Sequence, residues 1–265
     1  MCRLLGYLGP PITLDRWLIK PEHSLIEQSY QPREMETALL NADGFGLGWH
    51  HPDRTEDAFV YRSVLPIWND VNLSPLSRYI ESGCALAYIR SATPGQAISI
   101  DNCQPFQRGR LLFIHNGFIE DFRQSLYRPI RDRLCDVAYH SIQGSTDSEH
   151  IFALLIHQLE AQPSLSLSAA LDQTLKQLCE LSHDQGIRTL ANVIVSDGQQ
   201  LVFSRFATSA PQPSLYWLRD DFKFPKSVIV ASEPLFDADW TVCQPSTLVQ
   251  VSADIEIQSR PLDFA

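Results

Sequence analysis

Two apolar stripes with helical spacing lie back to back in the middle of the chain: Ile151, Leu154, Leu155 and Leu159, then Leu167, Leu171, Leu175 and Leu178. Residues three and four apart share one helix face, so each stripe predicts an amphipathic helix with one side to bury. Around them the chain is a series of short β-type runs. These are Arg3 to Leu8, Phe45 to His50, Phe59 to Ser63, Cys84 to Ser91 and Leu111 to His115 before the helices, then Thr189 to Ser196, Leu201 to Phe206, Ser227 to Ser232 and Leu248 to Ile257 after them. A doubly wound parallel sheet needs helices alternating with strands, and this order does not alternate. Ser196-Asp197-Gly198-Gln199 carries the Asp-Gly signal of a tight hairpin, which makes the strands beside it antiparallel. The pattern predicts an α+β fold with helices stacked on antiparallel sheets, for which a four-layer αββα sandwich is one solution.

At 265 residues, 44% hydrophobic and 20% charged, the chain is expected to form a single domain over 1–265. A chain of that size buries roughly 70–75% of its unfolded surface, so its core needs no disulfide or metal. The balance of 21 basic against 31 acidic residues, formally −10, gives no attraction to phosphate backbones or anionic lipid. Nucleic acid and membrane are therefore not expected as partners. The apolar run Ile151 to Ile156 falls far short of the ~20 residues a spanning helix needs. The start, Met1 to Pro11, reaches two prolines before any adequate apolar stretch and has no small-residue cleavage site. Six cysteines (2, 84, 103, 135, 179 and 243) form no C-x-x-C pair. Both features suit a reducing, cytoplasmic setting. His150 and His157 lie seven apart without an H-E-x-x-H partner, so neither a metal nor a cofactor is expected.

Four short segments have the residue types for amide chemistry. Cys2 becomes N-terminal if the initiator methionine is removed, as it normally is before a small side chain. Its α-amine, with a pKa of roughly 7.7–8.0, then serves as the base for its own thiol. A cysteine at the head of an apolar strand is equally compatible with simple burial. Arg90, in Tyr88-Ile89-Arg90-Ser91-Ala92-Thr93-Pro94-Gly95, stands where a strand runs into a small-residue turn, and its guanidinium suits bidentate pairing with a carboxylate. Asn116-Gly117, at the end of another strand, reads as a turn; it also pairs an amide side chain with an accessible glycine N–H, two donors for an oxyanion. In Ser145-Thr146-Asp147-Ser148-Glu149, Thr146 and Glu149 form a capping box, with Asp147 in the first helical turn or facing an ammonium in a cleft.

In this order the four segments resemble the class II glutamine amidotransferase family of N-terminal-nucleophile hydrolases, over roughly the first 160 residues. The resemblance implies the αββα fold, with Cys2 as nucleophile, Arg90 on the substrate α-carboxylate, Thr93 as a further substrate-binding residue, Asn116 and Gly117 as oxyanion hole, and Asp147 on the α-ammonium of a γ-glutamyl group. Ser91 and Pro94 depart from it, because many members carry an aromatic residue and a histidine there. Pro21 to Tyr30, Asn41 to Trp49, Arg90 to Gly95 and Val230 to Leu235 look like the branch of the family that serves ergothioneine biosynthesis. That branch implies removal of glutamate from γ-glutamyl-hercynylcysteine sulfoxide, with Tyr30, Trp49 and Trp68 as aromatic candidates for its trimethylammonium. No synthetase segment is read in the sequence, so hydrolysis is expected rather than ammonia transfer. A glutaminase subunit feeding a partner protein and an inactive binding module on the same fold remain the alternatives, and the oligomeric state is left open.

Overall fold

Alternation along the first strand divides the molecule into layers: Leu4 and Leu8 pack to one side, Leu5 and Tyr7 to the other. The computed structural model describes residues 2–34, 40–51, 56–92 and 96–264. In chain order its elements are β1 (Arg3–Thr13), α1 (Asp15–Leu18), α2 (Leu25–Tyr30), β2 (Phe45–His50), β3 (Phe59–Ser63), α3 (Leu73–Tyr79), β4 (Glu81–Ile89), β5 (Phe106–Arg108) and β6 (Leu111–Ile119). Then follow α4 (Tyr127–Arg131), α5 (Asp136–His140), α6 (Asp147–Ala161), α7 (Leu167–Gln185), β7 (Thr189–Ser196), β8 (Leu201–Arg205), β9 (Tyr216–Asp221), β10 (Phe224–Ala231), β11 (Thr241–Val242), β12 (Thr247–Val251) and β13 (Ile257–Pro261).

Among the described residues the strands form two antiparallel sheets. One has the order β11-β9-β10-β1-β4-β2-β3 and the other β13-β12-β8-β7-β6-β5. Leu4, Leu86, Tyr88 and Val230 of the first sheet meet Leu112, Ile114, Ile194 and Phe203 of the second in the apolar layer between them. The far face of the first sheet is covered by Trp17, Leu18, Leu25 and Leu73 of α1–α3. The far face of the second is covered by the two expected stripes, now α6 and α7, with α4 and α5 beside them. This is the four-layer αββα sandwich. No helix among the described residues is long and apolar enough to cross a membrane.

Several expected boundaries move. The run Leu248 to Ile257 is two strands, β12 and β13, because the chain reverses through Ser252 and Asp254 and pairs Val251 with Ile257. Asn116-Gly117 is not a turn: both residues lie inside β6, paired with Asn192 and Ala191 of β7. Asp197-Gly198 does form the β7–β8 hairpin, with Asp197 Oδ1 accepting from the Gln199 and Gln200 amides.

Period-2 glycines let the sheets approach. In β2, Phe45 and Leu47 point into the outer layer, leaving Gly46 and Gly48 on the inner face, where a Cβ on Gly46 would collide with the Gln104 carbonyl and one on Gly48 would stand 2.8 Å from Leu112 Cδ2. A backbone carbonyl cannot move aside as a leucine side chain can. Gly46→Ala is therefore expected to cost about 1–3 kcal/mol in urea unfolding, and Gly48→Ala clearly less.

Candidate active site

The first strand places Cys2, the expected nucleophile. Cys2 precedes β1, half-buried at the mouth of the inter-sheet layer, and its Sγ is held from β4. Tyr88 Oη donates to Sγ at 2.7 Å and the Ser91 amide donates at 3.3 Å, while the thiol reaches the Ser91 carbonyl at 3.5 Å. Tyr88 faces the sheet interior because it pairs with Leu4 across the β1–β4 ladder. Burial, then the neighbouring Cys2, pushes its hydroxyl well above the usual tyrosine range, so it stays a proton donor to sulfur.

Cys2 opens on a cleft of about 1240 Å³ that Ser91, Gln96, Gly117, Asp147, Arg188 and Tyr216 also line. Asp147 begins α6 behind the N-cap Thr146, whose hydroxyl accepts from the Glu149 amide. Only that half of the expected capping box forms, since the Glu149 carboxylate instead accepts from Gln143 N at 2.8 Å and Gly144 N at 2.7 Å. Asp147 Oδ2 accepts from Ile119 N at 2.9 Å and Oδ1 from Ser148 N at 2.8 Å, which fixes the carboxylate against β6 and at the positive end of the helix. Behind it, His115 Nε2 donates to the Leu190 carbonyl at 3.0 Å, leaving Nδ1 to accept from Ser148 Oγ at 2.8 Å. Burial lowers the His115 pKa, opposed by the Asp147 charge and the Leu190 bond, and the neutral ring ties α6 to β6 and β7.

Gly117 lines the cleft where β6 passes so near β7 that a Cβ would collide with the Leu190 carbonyl. Asn116 lies just behind the wall, 1% exposed, with both Oδ1 and Nδ2 lacking a partner among the described residues. An unpaired buried amide costs on the order of 1–3 kcal/mol, which marks the position as one kept for something other than stability. Arg90 follows β4 as expected but does not line the cleft. It is buried, with Nη2 donating to Gln96 Oε1 at 3.3 Å and to the Ala97 carbonyl at 3.2 Å, and Nη1 to the Asp43 carbonyl at 3.5 Å. Thr93 lies outside the described residues.

The aromatic expectation is corrected. Tyr30 and Trp68 pair edge-to-face at 5.9 Å and Trp49 packs on Phe59 at 4.7 Å, and none of the three is on the cleft. Its aromatic wall is Phe118, Phe122 and Tyr216. Sequence reading also missed Tyr88, Asp43, whose Oδ2 accepts from Ala92 N at 2.8 Å, and the fully buried Glu233. Glu233 meets Arg3 Nη2 at 2.7 Å and His23 Nε2 at 2.7 Å, and accepts from the amides of Arg33 at 2.8 Å and Glu34 at 3.1 Å. All three residues fall in segments the resemblance had picked out. What was missing was the register that turns Tyr88 toward Cys2 and the long-range contact that brings position 233 to position 3.

The sequence model of the family described as class-II glutamine amidotransferases matches residues 19–211. The chain belongs to that family. It is accordingly an amide-hydrolysing enzyme. It is 30% identical to a Saccharomyces cerevisiae protein named as a probable glutamine amidotransferase, DUG3, over 95% of this chain and 82% of that one. It is 28% identical to the γ-glutamyl-hercynylcysteine sulfoxide hydrolase of Mycolicibacterium smegmatis, over 99% of this chain and 100% of that one. A solved class-II glutamine aminotransferase domain protein from Silicibacter pomeroyi superposes with a TM-score of 0.70 at 26% identity, covering 98% and 99% of the two chains.

Two expectations follow for this amidotransferase. Cys84, Cys103, Cys179 and Cys243 are buried, and burial raises all four thiols, Cys84 and Cys243 to about 12. A substoichiometric thiol reagent should thus modify Cys2 first and the half-buried Cys135 next, with the others reacting only in denaturant; peptide mapping reads the order. For Glu233, burial alone would raise the carboxyl, but the His23 hydrogen bond, the Arg3 charge and the Arg33 and Glu34 amides outweigh it and hold the group below its usual range. Its contribution is then complete above the unfolded value of about 4.3 and is lost as pH falls below that toward the native value. Glu233→Ala, which leaves Arg3 buried without its carboxylate, should cost about 3–5 kcal/mol at pH 7 by urea unfolding, with the difference from wild type shrinking in that acid range.

Proposed function

We propose that the chain hydrolyses the γ-glutamyl amide of γ-glutamyl-hercynylcysteine sulfoxide, releasing glutamate for ergothioneine biosynthesis through a thioester on Cys2. The carrying observation is the cleft itself, which brings the Cys2 thiol, Gly117 and Asp147 together in about 1240 Å³. Small-molecule pockets run roughly 300–1,000 Å³, so this one has room for a leaving group much larger than ammonia. Full-length similarity to the mycobacterial hydrolase supports the choice of substrate.

In this reading the mature enzyme begins at Cys2. The α-amine takes the thiol proton, Sγ attacks the side-chain carbonyl carbon, and the oxygen's developing charge is met by Asn116 Nδ2 and the Gly117 N–H. The C–N bond breaks as the ammonium returns its proton to the leaving amine, and water cleaves the thioester to free glutamate and restore the thiol. Asp147, with part of its acceptor capacity unused, receives the α-ammonium. Arg90 reaches the α-carboxylate by exchanging Gln96 Oε1, which already stands on the cleft wall, for a substrate oxygen. Tyr216 and Glu34 replace the three aromatics considered earlier. The tyrosine hydroxyl donates to Glu34 at 2.7 Å, and together they offer a ring and a negative charge to a trimethylammonium. The whole chain acts as one domain.

Similarity to the yeast protein favours a second reading, a glutaminase that passes ammonia to a partner. Competition between glutamine and the hercynylcysteine conjugate separates the two. The proposal expects kcat/KM to favour the conjugate at least about tenfold, the size of one charge-assisted contact, and equal values would overturn the substrate assignment. Intact mass should show the loss of Met1, and its retention in active enzyme would remove the amine base. Asn116→Ala should lower kcat about 10²–10³-fold at nearly unchanged KM, whereas a pure rise in KM would take Asn116 out of the oxyanion hole.

A further inference from the structure

Pro211, Gln212 and Pro213 form part of the cleft wall, and two arginines grip that segment. Arg188 donates from Nη2 to the Pro211 carbonyl. Arg205 donates from Nε to the Pro213 carbonyl at 2.9 Å, from Nη2 to Gln212 O at 3.4 Å and from Nη1 to Cys243 O at 2.7 Å. Every one of these acceptors is neutral. Among the described residues neither guanidinium forms an ion pair with a carboxylate, in a chain carrying 31 acidic residues. Arg188 Nε is buried without a partner, and its guanidinium lies 5.7 Å from the centre of the Phe118 ring, another cleft residue. Of the acidic side chains on the cleft wall, Glu34 is occupied by the Tyr216 hydroxyl, and Glu120 Oε2 accepts from the Arg188 backbone amide at 2.9 Å rather than from its guanidinium.

Half-buried guanidiniums oriented by backbone carbonyls and lacking a counter-ion are preorganised for an anion, and their planar forks match a carboxylate. The remaining cleft arginines, Arg33 and Arg123, are exposed, and water already solvates their charge. The acyl side of the substrate is served by Asp147 and Arg90 on other elements, so the Arg188–Arg205 wall faces what departs. We propose that Arg188 and Arg205 form a leaving-group subsite that selects amines bearing a carboxylate, such as amino acids and peptides linked through nitrogen to the γ-glutamyl carbonyl. This rests on hydrolysis of a γ-glutamyl amide at Cys2 and adds what the amine half must contain. Glutamine, which releases only ammonia, leaves the subsite empty.

The test compares γ-glutamyl-alanine with γ-glutamyl-alaninamide, identical but for the terminal charge, on the full-length enzyme, with glutamate release as the readout. Wild type should show kcat/KM at least about tenfold higher for the free carboxylate. Arg188→Gln and Arg205→Gln should lower the carboxylate substrate toward the amide while the amide is cleaved as before, which also shows that the variants are folded. Arg123→Gln, on the exposed part of the cleft, should keep most of the preference, since solvated charge contributes little. Equal wild-type rates on the two substrates would overturn the subsite while leaving γ-glutamyl hydrolysis standing. Equal loss on both substrates in the arginine variants would reduce Arg188 and Arg205 to supports of the 211–213 segment and overturn it as well. Absence of glutamate release from either compound would overturn the subsite, and absence from glutamine and the hercynylcysteine conjugate as well would overturn the γ-glutamyl reading with it.

Discussion

A single buried carboxylate holds the catalytic end of the molecule together. Glu233 lies two residues beyond the end of β10, yet it pairs with Arg3 at the head of β1, with His23 just before α2, and with the amides of Arg33 and Glu34 on the cleft. Three separate stretches of chain thus converge on the two oxygens of a fourth. Removing two charges from water is expensive, and the arrangement is stable only because each carboxylate oxygen has both a cationic or imidazole partner and a backbone donor. Its consequence is positional. Arg3 adjoins Cys2 and donates to the Cys2 carbonyl at 3.2 Å, so the strand that carries the thiol is anchored one residue away from it.

The second constraint is the narrow spacing of the two sheets. Gly46 and Gly48 remove the side chains that would hold the sheets apart on one side, and Gly117 does the same between β6 and β7 beside the cleft. Pairing of β4 with β1 puts Tyr88 within reach of the Cys2 sulfur, and Asn116 is enclosed with no partner among the described residues. Tight backbone packing therefore creates a site in which polar groups are fixed before a substrate arrives. Preorganised donors need little rearrangement as charge develops on the substrate oxygen.

The layers and the two long helices were legible in the sequence because period 2 and period 3.6 are local signals strong enough to survive tertiary packing. The short helices were not. Asp15–Leu18, Leu25–Tyr30 and Leu73–Tyr79 are four to seven residues long, too short for a stable isolated helix, and they exist because Trp17, Leu18, Leu25 and Leu73 cover a sheet. Asn116-Gly117 misled for a related reason: Asn-Gly favours a turn in isolation, but eight consecutive pairings with β7 hold it in a strand. Cys2, Asp147 and Gly117 were found as residue types and do share one cleft, whereas the aromatic candidates failed because nearness in sequence to a distinctive segment says nothing about which face a ring occupies.

Charge distribution carries the remaining step. A chain with a formal charge of −10 repels anionic small molecules at long range, and screening over roughly 8 Å at physiological salt confines the decision about what binds to the cleft itself. There the two signs balance, with four arginines and four carboxylates among the described residues of the cleft wall. The guanidiniums of Arg188 and Arg205 stand on one wall without carboxylate partners among the described residues, while Asp147 is placed at a helix N-terminus and Glu34 is bonded to Tyr216. Opposite signs at separate places on one surface suit a zwitterion with several charged groups better than they suit ammonia or a neutral amide. A γ-glutamyl conjugate of an amino acid is such a molecule, with an ammonium and a carboxylate on the glutamyl half and a carboxylate on the other. For the proposed substrate class, discrimination rests on the distances between those charges, which net charge alone cannot supply.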